Sequence, residues 1–365
     1  LESLTLTNFK NYRSEKIELS AKLNCLTGLN GMGKTNILDA VYYLCMCKSH
    51  FSTTDVHIAL QGEDFFRLEG IFNLDGSKKS KIVAKVQARK AKIFENQDLS
   101  YEKLSDHIGK FPVVMIAPDD TELLTEGSEE RRRLMDITLS QLDQHYLHSL
   151  QIYNKVLEQR NALLKQFFQS QRFDAGLLEV YDSQLIAPAN YIFQQRKVLL
   201  EQLLPIFQLY YKIISGDREQ PSFSYESKLL DYDLETLLLE NREKDRILQR
   251  TSSGIHRDDV LFIFSEGIPA KRFASQGQLK SFLLAIKLAQ YEVLHLLKGQ
   301  RPILLLDDIF DKLDMERVKH LLSLLSDDQF GQLFITDTQE ERILSIIGDL
   351  QVDFKHFKVN QGHVQ

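Results

Sequence analysis

Residues Gly28 to Thr35 read GLNGMGKT and fit the phosphate-loop pattern G-x-x-x-x-G-K-[ST]. Gly28, Asn30, Gly31 and Gly33 would form a turn tight enough to aim backbone N–H groups at phosphate oxygens. Lys34, Thr35 and Asn36 would open the helix whose N-terminal partial charge faces the same anion. Lys34 would reach the β- and γ-phosphates, and Thr35 would set its hydroxyl on Mg²⁺. Far along the chain, Pro302–Asp308 is PILLLDD, an aliphatic run ending in two carboxylates. Asp307 would hold Mg²⁺ directly or through water, and Asp308 would orient an attacking water. Before that run, Ser275-Gln276-Gly277-Gln278 opens a long amphipathic stretch, with a hydroxyl and free N–H groups suited to a phosphate. Ser275, Gly277 and Gln278 are the candidates there.

These groups need elements to position them. Leu23–Thr27 reads as a short buried strand ahead of the loop. In Asn36–Cys47, Ile37, Leu38, Val41 and Leu44 recur at helical spacing. The aliphatic run of PILLLDD suits a strand buried on both faces of a parallel sheet, its acids emerging at the carboxyl end beside the phosphate loop. Leu333–Ile335 predicts a further strand, ending at Thr336, Asp337 and Thr338. The expected class is therefore α/β, with a P-loop nucleotide site.

Composition agrees with a globular chain: 365 residues, 43% hydrophobic and 26% charged. No uncharged apolar run approaches a bilayer span, and Lys10 and Arg13 interrupt any secretory pattern, so the expected location is cytoplasmic, without a membrane. Cys25, Cys45 and Cys47 form no C-x-x-C pair and read as core thiols. A net charge of −6 means that any nucleic-acid surface must be a local basic patch.

Leu4 and Leu6, then Ile17 and Leu19, alternate with polar residues around NFKNYR, as in an edge hairpin. Lys10, Tyr12 and Arg13 there could flank a nucleotide base or cap the hairpin. From Phe65 to Phe94 the texture is β. Ile82, Ala84 and Val86 alternate with Lys81, Lys85 and, beyond them, Arg89, which with Lys78, Lys79, Lys90 and Lys92 make a basic strip. The strip either contacts DNA phosphates or is a solvated outer face. Phe111–Ala117 predicts a strand ended by Pro118-Asp119-Asp120. From Ser128 to about Arg250 the pattern is helical, with breaks expected near Gln169–Phe173, Pro188, Pro205 and Ser215–Pro221, and no sustained heptad. Arg131, Arg132, Arg133, Arg160, Asn161 and Lys165 are partner contacts, DNA contacts or salt-bridged surface. Gly254–Phe264 predicts a loop feeding a strand; His256, Asp258 and Asp259 lack the further ligands of a metal site. A turn at Gly267–Pro269 and the sequence FDKLD over Phe310–Asp314 complete the pattern. The chain divides into a discontinuous lobe, 1–115 with 290–365, and a helical lobe, 116–289, that carries SQGQ.

Phosphate loop, SQGQ and LLLDD in that order resemble an ABC-type ATPase head. NFKNY, IAPDD, RRR, RNALLK, GIHRDD and FASQGQLK narrow the resemblance to the RecF family of bacterial recombination proteins. The resemblance implies an ATP-dependent homodimer that binds gapped DNA or single-strand/duplex junctions in repair and replication restart, as part of the DNA-damage (SOS) response. It also implies work with RecO and RecR to help load RecA. By it, Gly28, Gly31, Gly33, Lys34 and Thr35 match Walker A, Asp307 and Asp308 match Walker B, and Ser275, Gly277 and Gln278 match the signature that completes a partner's site. Asp308 stands where many such ATPases carry Glu, and no histidine follows Thr336, so slow hydrolysis serving as a switch is expected. No Gln between the lobes is assigned. An SMC-type ATPase would need hundreds of coiled-coil residues between Walker A and the signature, and only about 240 separate them here. A transporter subunit and a DNA-binding scaffold with a structural nucleotide site are the other readings.

Overall fold

The structure, a computed structural model, describes all residues except 53, 74–78, 126, 217–218, 266–267, 270–274, 311–316, 319–320, 322–323, 326–328 and 349–352. The turn at Gly267, the FDKLD residues after Phe310, Lys78, Phe273 and Ala274 therefore lie outside the described residues. Two compact units divide the chain. The first comprises Leu1–Asp120, Ile213–Ser215 and Lys287–Gln365, and the second Thr121–Lys212 and Gly216–Ile286.

The first unit holds two sheets around one helix. Strands β1 (Ser3–Phe9), β2 (Tyr12–Glu18), β4 (Phe65–Asn73), β5 (Lys79–Gln87), β6 (Ile93–Asn96) and β7 (Leu99–Ser100) form an antiparallel sheet in the order β2-β1-β4-β5-β6-β7. Strands β3 (Leu23–Thr27), β8 (Val113–Ile116), β12 (Ile303–Leu306), β13 (Leu333–Asp337), β14 (Phe354–Asn360) and β15 (His363–Val364) form the other, in the order β15-β14-β3-β13-β12-β8. Within it β14, β3, β13, β12 and β8 run parallel, and β15 folds back on β14. Every residue of β3, β8, β12 and β13 is buried, which explains the unbroken apolar runs of β8 and β12, while in β3 the buried Asn24 bonds Ser20 and the Leu333 carbonyl. Helix α1 (Lys34–Met46) lies between the sheets and touches β1, β4 and β5 of one and β8 and β13 of the other. It is consequently buried over almost its whole circumference, not on one face: Asp39, Ala40, Tyr42 and Cys45 are as enclosed as Ile37 and Leu44. All three cysteines are free and buried, and burial pushes the thiols of Cys25 and Cys47 up to about 12, so they are core groups.

The second unit contains α2 (Glu122–Thr125), α3 (Ser128–Leu142), α4 (Gln144–Ser170), the greater part of α5 (Ala175–Ser215), α6 (Leu234–Glu240) and α7 (Arg242–Leu248). Asp143 and Asp174 cap α4 and α5 by accepting from the N–H groups of His145 and Leu177. Leu163, Leu164 and Phe167 of α4 pack on Leu178 of α5 to close the hairpin end. Two sequence expectations need correction. Pro188 and Pro205 do not break the chain into shorter helices, because α5 runs through both for 41 residues. Ser222–Glu226 is not helical but a strand, β9, which pairs with β10 (Asp259–Ser265); Ile268–Pro269, β11, completes that small antiparallel sheet. The alternation in SFSYE is the strand period. A 23-residue helix, Gln276–Lys298, begins in this unit, and the unit boundary falls between its Ile286 and Lys287.

Candidate functional site

The phosphate loop joins β3 to α1, and its shape is fixed by glycine. Gly28, Gly31 and Gly33 have φ of 151°, 79° and 118°, a region that L side chains rarely adopt. A Cβ at Gly33 would fall 2.6 Å from Asn11 Nδ2 and 2.8 Å from Tyr12 Oη, and one at Gly28 would fall 2.3 Å from the Val359 carbonyl oxygen. The loop is thus clasped from two sides. Tyr12 Oη donates to the Gly33 carbonyl at 3.1 Å, Asn11 Nδ2 donates to the Met32 carbonyl at 2.9 Å, and Asn36 Nδ2 donates to Asn11 Oδ1 at 2.7 Å. From the other side the Gly362 N–H donates to the same Met32 carbonyl at 3.1 Å. Neither alternative for Tyr12, base contact or exposed cap, fits: its side chain is fully buried and supports the loop. Lys10 pairs with buried Asp39 at 2.7 Å, and only Arg13 is exposed.

Lys34 Nζ donates to the carbonyls of Gly28 and Leu29, at 2.6 and 3.0 Å, inside the loop. Burial lowers its pKa, while Asp308, Asp307 and Asp337 favour the ammonium form. The ends of β12 and β13 bring the carboxylates to it, since Leu306 pairs with Ile335. Asp307 is buried and accepts from Thr35 Oγ1, at 3.0 and 2.9 Å to its two oxygens, and from Thr336 Oγ1 at 2.7 Å. Burial raises its pKa; the two hydroxyls lower it, and neighbouring Asp308 raises it. Asp308 leaves the strand at φ 47°, its N–H donating to Thr336 Oγ1 at 2.9 Å. Asp337 is buried and held by Arg342. Asn30, Gly31, Gly33, Lys34, Thr35, Asn36, Pro118, Asp307, Asp308 and Thr336 line one cleft of about 190 Å³. The sequence reading placed eight of these ten and missed Pro118 and Thr336, whose hydroxyl becomes visible only through strand register.

The donor set fits a hard cation with a phosphate: hydroxyl and carboxylate oxygens beside an ammonium group that bonds carbonyls of its own loop. Among the described residues no group of three or more His, Cys, Asp or Glu is placed to hold a metal by itself.

Ser275, Gly277 and Gln278 stand in the second unit at the start of the helix Gln276–Lys298. The Ser275 N–H donates to Gln278 Oε1 at 2.7 Å, and the Gln278 N–H donates to Ser275 Oγ at 3.3 Å, a reciprocal cap. Gln278 Nε2 also donates to Glu219 at 2.8 Å.

The basic strip differs from its appearance in the sequence. Lys85 pairs with Glu95 at 2.6 Å, Lys81 with Asp98 at 3.5 Å and with Glu69 at 3.8 Å, and Lys79 with Glu2 at 2.6 Å. Carboxylates on β4, on β6 and in the turn beyond it make this a mixed-charge face, and Arg89 is exposed past the end of β5. Of the arginines that the sequence offers in the helical unit, Arg131, Arg132 and Arg160 turn inward, while Arg133 pairs with Glu130 on the surface. Arg131 makes a two-pronged pair with Asp259, and Arg132 donates to the Asp258 carbonyl. Arg160, fully buried, donates to Asp182 and Asp245 at 2.6 and 2.8 Å, and Asn161 accepts from Thr251. GIHRDD joins the same scheme. His256 bonds Tyr153 and the Thr251 carbonyl, while Asp258 accepts from Arg196 and Tyr225.

Among the described residues no helix is long and apolar enough to cross a membrane. A family model described as the RecF/RecN/SMC N terminal domain matches residues 1–361. The chain is 45% identical to the DNA replication and repair protein RecF of Flavobacterium johnsoniae over 98% of this chain and 99% of that one. It is 43% identical to the protein so named from Parabacteroides distasonis, over 100% and 98%. A solved structure of the recombination mediator protein RecF in the RecFOR pathway, RecF-ATPrS, superposes with a TM-score of 0.89 at 28% identity over 100% of this chain and 97% of that one. The Smc head domain of Pyrococcus furiosus, at 14% identity and a TM-score of 0.57 over 100% and 94%, shares the fold. The matches cover nearly the whole chain, and the chain belongs to the RecF family of DNA replication and repair proteins.

Proposed function

We propose that this chain is an ATP-dependent DNA-binding protein of recombinational repair and replication restart, which dimerises on ATP, binds gapped DNA or single-strand/duplex junctions, and acts with RecO and RecR to help load RecA. One observation carries the nucleotide part: Lys34, Thr35, Asp307, Asp308 and Thr336 meet in one cleft although two widely separated parts of the sequence supply them. The name RecF-ATP of a solved relative supports the same ligand. In this reading Gly28, Asn30, Gly31, Gly33 and Asn36 shape the phosphate cradle, and Lys34 neutralises phosphate charge. Thr35 and Asp307 hold Mg²⁺, which would spread charge over the phosphates when bound. Asp308 orients water. Its short side chain on a left-handed turn suits slow turnover, so hydrolysis serves to reset a switch rather than to process substrate. Ser275, Gly277 and Gln278 complete the site of a second copy, and the two compact units correspond to the two lobes of an ATPase head.

For DNA, the ion pairs at Lys81 and Lys85 support only a minor role for β5, beside the exposed Arg89 beyond its end. The test is binding to a gapped duplex with and without ATP and Mg²⁺ while the mass of the complex is followed. ATP-dependent binding with doubled mass is expected, and Lys34→Met should lose both. Binding by a monomer regardless of nucleotide would refute the switch.

A further inference from the structure

Thr336 carries no role in the phosphate-loop or Walker motifs, yet its side chain bonds both acidic positions. It is fully buried at the end of β13, one residue beyond the Ile335–Leu306 pair. A hydroxyl has one proton and two lone pairs. Here the proton goes to Asp307 Oδ1 at 2.7 Å, and a lone pair takes the Asp308 N–H at 2.9 Å. The second bond matters because Asp308 has left its strand for φ 47°, where neither a sheet ladder nor a helix fixes its backbone. Thr35 also donates to Asp307, but Thr35 lines the phosphate loop and is the hydroxyl proposed to turn to Mg²⁺. Thr336 stands on β13, outside the phosphate loop, and bonds the Asp307 carboxylate and the Asp308 N–H.

We infer that Thr336 is a positioning residue that orients Asp307 through its side chain and Asp308 through its backbone, and thereby sets how readily the site takes Mg²⁺ with nucleotide. The inference rests on the nucleotide site proposed above. Groups that orient a metal ligand commonly change metal affinity by about 10- to 100-fold when removed, and one of two hydroxyl donors to Asp307 belongs at the lower end.

The experiment uses the full chain as wild type, Thr336→Val, which keeps the shape, and Thr336→Ser, which restores the hydroxyl. Binding of a fluorescent ATP analogue is followed by anisotropy in EDTA and through a Mg²⁺ titration, with thermal midpoints recorded without nucleotide. In Thr336→Val the Mg²⁺ concentration giving half of the metal-dependent change should rise about tenfold, beyond any change in metal-free affinity, and Thr336→Ser should return most of it. An unchanged Mg²⁺ midpoint in Thr336→Val beside normal wild-type binding overturns this inference alone. So does a loss of metal-free binding and of thermal stability that Thr336→Ser does not repair, because that marks a packing role. Absence of nucleotide binding by the wild type overturns the site itself.

Discussion

His107 shows how a single buried side chain ties this fold to pH. It is fully buried, one ring nitrogen sits 2.7 Å from the Leu44 carbonyl, and burial lowers its pKa from 6.5 to about 4. A histidine held neutral when folded and free to protonate when unfolded adds stability that is complete above pH 6.5. That contribution falls away as the pH drops toward about 4, where the folded form protonates too. The loss over the window is of the order of 3 kcal/mol, since a tenfold difference in proton affinity is worth about 1.4 kcal/mol. Urea melts of wild type and His107→Leu at several pH values should show the wild type's advantage shrinking between pH 6.5 and 4; a constant difference would refute the assignment. Residues of the nucleotide site follow another logic. Lys34 and Thr35 were legible as a motif because local spacing defines them. Thr336 was not, because its role arises from the pairing of β13 with β12.

At the level of elements, the helical unit is organised by buried charge. Arg160 on α4 reaches Asp182 on α5 and Asp245 on α7, and Arg196 on α5 reaches Asp136 on α3 and Asp258 just before β10. Each arginine spends its donors on three-dimensional neighbours far off in sequence. Replacing Arg160 by Met would strand two carboxylates inside the unit. A destabilisation of about 3–5 kcal/mol is expected, read as a lowered urea midpoint, and a change under 1 kcal/mol would contradict the network. Such pairs were not legible, because RRR and RNALLK look equally like a solvated surface or a phosphate-binding one. Strand β12 was legible, since burial on both faces leaves the unbroken run ILLL, and β3 and β13 were legible with it from LNCLT ahead of the phosphate loop and from LFI before Thr336. Proline misled in α5. Its missing N–H and its clash with the preceding turn argue for a break, but in a helix of 41 residues packing elsewhere outweighs two such defects. On β5 the lysines were correctly read as one face, while their carboxylate partners on β4 and β6 needed the register to be seen.

For the whole molecule, the proposed dimer makes each nucleotide site the work of two chains. Lys34→Met removes the loop's cation from one contribution, and Ser275→Arg crowds the start of the signature helix in the other. Each variant alone should lose ATP hydrolysis, and an equimolar mixture should recover a part of it through heterodimers with one intact site. Full activity in either variant alone, or none in the mixture despite heterodimer formation, would refute shared sites. Within a single chain the site also depends on distant sequence. Its loop lies at residues 28–35, but the acids arrive with β12 and the outer clasp with Val359 and Gly362. In a nascent chain the phosphate loop is therefore made more than 300 residues before Gly362, whose N–H bonds the Met32 carbonyl and completes the outer clasp. Until then Leu23–Thr27 is a segment whose partners on both sides, β13 and β14, have not yet been made. Synthesis of this protein thus includes a long interval in which β3 waits without either neighbour in its parallel sheet.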